Sequence, residues 1–171
     1  MLIILGGLPG VGKTTIAQEL ARQIGAIHLR IDSIEQAIRN SGLIPHGREI
    51  DDAGYRVAYA IAAYNLTLGR TVIADSVNPV PLSRNAWRDT AAAAGVAALE
   101  VEIVCSDLVE HRRRVETRLA TVPGLRLPTW QEVVDRDYRP WDRERIVIDT
   151  AHQGVEQAVS FVRRAKVKSK K

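Results

Sequence analysis

The segment Gly7-Leu8-Pro9-Gly10-Val11-Gly12-Lys13-Thr14 follows directly on the apolar run Leu2-Ile3-Ile4-Leu5, and it restricts the possible folds more than any other stretch of the chain. It has the spacing G-x-x-x-x-G-K-[ST], with a buried-strand pattern before it and a helical pattern, Thr14 to Ala21, after it. Glycine lets the backbone turn and approach a ligand closely. The N–H groups of Gly10, Val11, Gly12, Lys13, Thr14 and Thr15 can then point at phosphate oxygens, and the helix N-terminus adds positive potential. Lys13 can reach the β- and γ-phosphates, and the Thr14 hydroxyl can ligate Mg2+. The residues therefore predict a site for a nucleoside triphosphate.

A chain of 171 residues with 46% apolar composition suits one domain with a substantial core. Cys105 is the only cysteine, which excludes an internal disulfide, and the four histidines are scattered, which argues against a Cys/His metal cluster. Leu2–Leu5 has no basic segment before it and is shorter than a secretory h-region. No apolar run approaches the roughly 18 residues of a membrane span. These features predict a cytoplasmic protein. The net charge of +4 is matched by Lys166, Lys168, Lys170 and Lys171, so the body of the chain is near neutral. Residues 166–171 read as a basic disordered tail behind a domain of residues 1–165; a role for the tail in holding a polyanion stays open.

Short β-type runs alternate with helical patterns, as in a parallel α/β sheet with helices on both faces. The predicted strands are 2–6, 26–31, 71–74, 97–104 and 145–148. Helices are predicted from Lys13 to Ile24 with Gly25 as its cap, from Asp51 or Asp52 to Leu68, through Arg84 and Arg88, from Ser106 or Asp107 through Arg118, from Thr129, and from about Gly154 to Arg164. The helix ending at Leu68 is predicted to be apolar on one face, through Val57, Ala60, Ile61, Tyr64 and Leu68.

Ligands gather at the carboxyl ends of parallel strands, which singles out Asp32 after the second strand and Asp75 after the third. Asp32 has two readings: a group facing the reaction centre, or an N-cap paired with Glu35. An apolar strand ending in Asp75 has the form of a Mg2+-holding Walker-B position. Arg84 and Arg88, four residues apart, either grip an anionic substrate or lie on a solvated face. Tyr55 either overhangs the substrate or packs. Arg112, Arg113, Arg114 and Arg118, then the loop 120–128 and the capping-box helix with Arg136, read as an arginine-rich lid over about residues 112–138.

Taken together, Gly7–Thr14, Ile31-Asp32-Ser33, Ala74-Asp75-Ser76, the arginine-rich segment and Val147-Ile148-Asp149-Thr150 resemble the small phosphate-loop kinases. These include gluconate kinase, shikimate kinase, adenylylsulfate kinase, chloramphenicol phosphotransferase and polynucleotide 5′-kinase domains. The likeness is greatest to the AAA_33 set of that superfamily. It implies a P-loop NTPase fold of the nucleoside-monophosphate-kinase type, with five parallel strands in the order 2-3-1-4-5. It also implies Asp32 as the base that deprotonates an acceptor hydroxyl, Arg114 and Arg118 as phosphate contacts with Arg112 next, and Asp149 and Thr150 beside the nucleotide base. In polynucleotide kinases an arginine stands three residues after this aspartate; here it is Glu35.

The expectation is an ATP- and Mg2+-dependent kinase acting on a hydroxyl of a small molecule. Lys13, Asp32, Arg114 and Arg118 would be catalytic, Thr14 and Asp75 would hold the metal, and Asp32, Arg84, Arg88, Tyr55 and Arg136 would border the acceptor. A polynucleotide or tRNA-end 5′-kinase and an ATP-binding regulatory module are the alternatives. No membrane partner is expected, and monomer and homodimer are both open.

Overall fold

The structure, a computed structural model, describes residues 1–45 and 48–168. Its elements run β1 (Leu2–Gly6), α1 (Lys13–Ile24), β2 (Ile27–Arg30), α2 (Ile31–Asn40), α3 (Ala53–Thr67), β3 (Val72–Asp75), α4 (Pro81–Ala93), β4 (Ala98–Val104), α5 (Leu108–Thr117), α6 (Trp130–Val134), β5 (Ile146–Asp149) and α7 (Val155–Lys168). The five strands are all parallel and lie in the order β2-β3-β1-β4-β5. This is the strand order that the family resemblance implied.

Strand alternation divides the core in two. Ile3 and Leu5 of β1 point to one face with Ile16, Ala17 and Leu20 of α1 and Ala158, Val159 and Val162 of α7. Leu2 and Ile4 point to the other, against Ala58, Ala62 and Leu66 of α3 and Trp87 and Ala91 of α4. A strand buried on both faces must be apolar at every position, which is why β1 reads as a continuous run.

Three departures from the predicted elements have local causes. The helix after β2 starts at Ile31, with Arg30 as its N-cap, so Asp32 lies inside the first turn and not at the cap. The face of α3 predicted as core is outside: Val57, Ile61, Tyr64 and Leu68 are 40%, 39%, 68% and 58% exposed. The smaller stripe Gly54, Ala58, Ala62 and Leu66 is buried instead, which lets α3 approach the sheet and its neighbours closely. Finally, α7 continues to Lys168, so the predicted tail begins as helix; residues 169–171 lie outside the described residues.

Candidate active site

The register sets Asp75 opposite Leu5 on one side and Arg30 on the other, so β1, β2 and β3 end at one level. The phosphate loop leaves β1 at that level. Gly7, at φ 136°, has no room for a side chain, because a Cβ there would collide with the Ile103 carbonyl oxygen. Gly12, at φ 96°, is the N-cap of α1 and turns the chain into the helix. Two further bonds hold the loop: Gly7 N–H donates to the Val77 carbonyl at 3.0 Å, and His111 Nε2 lies 2.8 Å from the Pro9 carbonyl.

A cavity of about 520 Å3 spans this edge. Gly10, Gly12, Lys13, Thr14 and Thr15 lie along its floor, with Asp32 and Asp75 beside them. Arg114 and Arg118 reach it from α5 and the residue after, and Thr150 borders it from the turn after β5. The predicted loop, carboxylates, two arginines and Thr150 are therefore brought together.

Lys13 is nearly buried, and burial lowers its ammonium to about 8; Asp75 and Asp32 oppose this shift, while Arg118 and Arg136 add to it. Its Nζ donates to the Leu8 carbonyl at 2.9 Å. Asp32 accepts from Arg30 Nη2 at 3.1 Å and stays half exposed. In the first turn of α2 its negative charge is favoured by the helix dipole. Arg30 also donates to the Thr121 hydroxyl at 2.6 Å, tying the segment after α5 to β2. Among the described residues, the buried Nε atoms of Arg30 and Arg118 find no hydrogen-bond partner. Arg114 is committed on several sides: its Nε donates to Glu110, and its Nη atoms donate to the Thr150 hydroxyl and carbonyl at 2.9 and 3.1 Å. The Thr150 hydroxyl is within 2.9 Å of the Val11 carbonyl, so Arg114 also supports the phosphate loop.

Thr14 and Asp75 offer hard oxygen donors to one cavity, the ligand type a magnesium ion takes. No group of three or more His, Cys, Asp or Glu side chains among the described residues could hold a metal alone. A cation here would draw its other ligands from phosphate oxygens and water, which is how Mg2+ is commonly held.

Several predicted contacts lie elsewhere. Arg84 is 0% exposed and donates to the carbonyls of Asn78, Pro79, Arg139 and Pro140, with its guanidinium 4.4 Å from the Trp141 ring centroid. It clamps the chain entering β5 onto the turn after β3 and, fully buried, does not line the cavity. Arg88 pairs with Glu100 of β4 at 3.2 Å, behind the site. Arg112 pairs with exposed Glu116 and lines a separate shallow cavity. The Asp149 carboxylate accepts from Ser106 N–H and Ala151 N–H, closing the turn after β5. The Tyr55 hydroxyl accepts from Asn78 N–H at 3.4 Å and supports the turn behind Asp75. Arg136 is exposed, yet close enough to add to the lowering of Lys13 and to oppose the rise that burial and Asp32 give the Glu35 carboxyl. Arg30, which the sequence placed beside the site without a role, and Thr121 and Arg126, which it did not single out, also line the cavity. Arg30 carried a signal, standing two residues before Asp32 at the end of β2; the loop residues Thr121 and Arg126 carried none.

Fold and site together define a small protein of the phosphate-loop class. The chain belongs to the AAA_33 family, an AAA domain, whose profile matches residues 2–136. Uncharacterized proteins of Mycobacterium tuberculosis and Mycobacterium bovis are 32% identical over 119 residues, 64% of this chain. The chain spans only 24% of the length of these relatives. Among solved structures, a Chloroflexus aurantiacus protein provisionally described as a kinase is similar with TM-score 0.72 and 25% identity, covering 98% of this chain and 96% of its own. The APS kinase CysC of Mycobacterium tuberculosis, in complex with AMPPNP and APS, aligns with TM-score 0.71 and 17% identity over 96% of both chains. Kti12 of Chaetomium thermophilum, in complex with ADP-AlF3, aligns with TM-score 0.60 and 20% identity over 96% of this chain and 98% of its own. No helix among the described residues is long and apolar enough to cross a membrane.

Proposed function

We propose that this chain is an ATP-dependent kinase that transfers the γ-phosphoryl group to a hydroxyl of a small molecule. The observation that carries this reading is the convergence of Lys13, Asp32, Asp75 and Arg118 on one cavity at the phosphate loop. The nucleotide complexes of the two similar structures, with AMPPNP and with ADP-AlF3, support it.

The acceptor oxygen attacks the γ-phosphorus, the bond to the β,γ-bridging oxygen breaks, and its electrons leave on ADP. Asp32 receives the proton of the acceptor hydroxyl. Arg30 fixes one of its oxygens, which leaves the other for the acceptor. Lys13 and Arg118 lie where they offset charge spread over the phosphoryl oxygens, and the N–H groups of the loop and of α1 hold the phosphate chain. Mg2+, held by Thr14 and Asp75, would neutralise β- and γ-oxygen charge when bound. The segment from α5 through α6 acts as a lid that excludes water, so that transfer goes to the acceptor and not to solvent.

A screen of sugars, antibiotics, nucleosides and 5′-hydroxyl oligonucleotides, read as acceptor-dependent ADP release, tests the reading. One small-molecule class is expected to respond. Labelling of oligonucleotide alone would instead assign a polynucleotide kinase, and tight ATP binding with no acceptor response would assign a binding module. With the acceptor found, Asp32→Asn is expected to lower turnover by about 10²-fold or more while ATP affinity is kept. An unchanged rate would remove Asp32 as the base.

A further inference from the structure

His28 lies on β2 and belongs to none of the motifs in the sequence. Its side chain is 18% exposed, and its Nε2 is 3.1 Å from Oδ2 of Asp75, itself 3% exposed. We propose that His28 is a positioning residue that fixes the Asp75 carboxylate for the divalent cation accompanying bound nucleotide; the inference rests on the nucleotide-binding part of the reading above.

An ionised carboxylate can only accept, so Nε2 carries the hydrogen and donates, whether the ring is neutral or cationic. That bond occupies Oδ2 and leaves Oδ1 as the oxygen available to a ligand in the cavity that Asp75 lines. The β2–β3 register puts Arg30, not His28, directly opposite Asp75. The Arg30 guanidinium, however, is drawn to Asp32 and Thr121. His28, two residues earlier and therefore on the same face of β2, is the side chain of that strand that reaches Asp75. His28 borders a second cavity of about 340 Å3, with Gln18, Ser33, Ile34 and Ile61, and does not line the nucleotide cavity. Its influence on nucleotide binding must therefore pass through Asp75. Donors behind a metal-ligating carboxylate set its orientation, and their loss typically weakens metal binding by about 10- to 100-fold.

Titrations of the full chain with methylanthraniloyl AMPPNP, in excess Mg2+ and in EDTA, test this for the wild type, His28→Asn and His28→Gln. The amide nitrogen of glutamine stands near the reach of Nε2, whereas that of asparagine stops near Nδ1. The expected result is that His28→Asn lowers the Mg2+-linked gain in affinity by about 10-fold or more and leaves affinity in EDTA unchanged. His28→Gln restores the gain. Thermal unfolding of each variant, followed in parallel, identifies any loss of fold.

A wild-type Mg2+-linked gain in His28→Asn overturns the proposal. So does an equal loss in Mg2+ and in EDTA, which marks a merely structural role, and so does the absence of any Mg2+-linked gain in the wild type. A wild type that binds no nucleotide at all removes the nucleotide reading and this proposal together. Binding without dependence on His28 removes the proposal alone.

Discussion

At the scale of single residues, the same side-chain type takes opposite roles according to what surrounds it. Arg118 faces the cavity with its Nε unpartnered, whereas Arg84 has given its donors to four backbone carbonyls. Replacing Arg84 by methionine is expected to destabilise the protein by about 3–5 kcal/mol, since the buried carbonyls lose their partner. The urea midpoint of Arg84→Met measures this, and a midpoint equal to the wild type would contradict the clamp. Lys13 gives a pH-dependent expectation. In the free protein it titrates at about 8, and phosphate contact raises that value. Its contribution to affinity is therefore fully present below pH 8 and is lost as pH rises through the raised value of the complex. At pH 9, calorimetry of ATP binding in buffers of different ionisation enthalpy is expected to show proton uptake that is absent in Lys13→Met.

At the scale of elements, α3 shows what periodicity can and cannot decide. Its sequence offers two apolar stripes, and a pattern of hydrophobicity favours the larger side chains. The fold buries the smaller ones, because α3 is pressed between α2, α4 and the sheet, where alanine and glycine permit close approach. Leu66→Ala is accordingly expected to cost about 2–5 kcal/mol, and Tyr64→Ala no more than about 0.5 kcal/mol, both by urea unfolding. Reversed values would return the core to the other face. The capping box of α6 was legible in Thr129 and Glu132, and the structure forms both of its bonds, because such a motif depends only on residues four positions apart or fewer. Arg136, predicted inside that helix, falls beyond it, since α6 ends at Val134.

At the scale of the whole molecule, the site exists because three strand ends and one crossing segment meet. The segment from α5 to α6 touches the sheet edge through Arg30–Thr121, His111–Pro9 and Arg114–Thr150, bonds that join residues far apart in the chain. If it closes over nucleotide, amide hydrogen exchange across residues 118–128 is expected to slow on addition of AMPPNP and Mg2+, with little change in α7; equal exchange with and without ligand would argue against a lid. The sequence by itself determined the phosphate loop, the five strands and the placing of Asp32 and Asp75 at or just past strand ends; the strand order was implied by the family resemblance. These follow from local spacing, from apolar runs and from the rule that ligands meet carboxyl ends of parallel strands. Only the tertiary structure decided which arginines face the cavity, that Asp32 is free of a capping role, and that His28 meets Asp75. Each of those depends on which side chains from distant segments arrive at the same place, and a guanidinium or an imidazole carries no sign of its partner in its own neighbourhood.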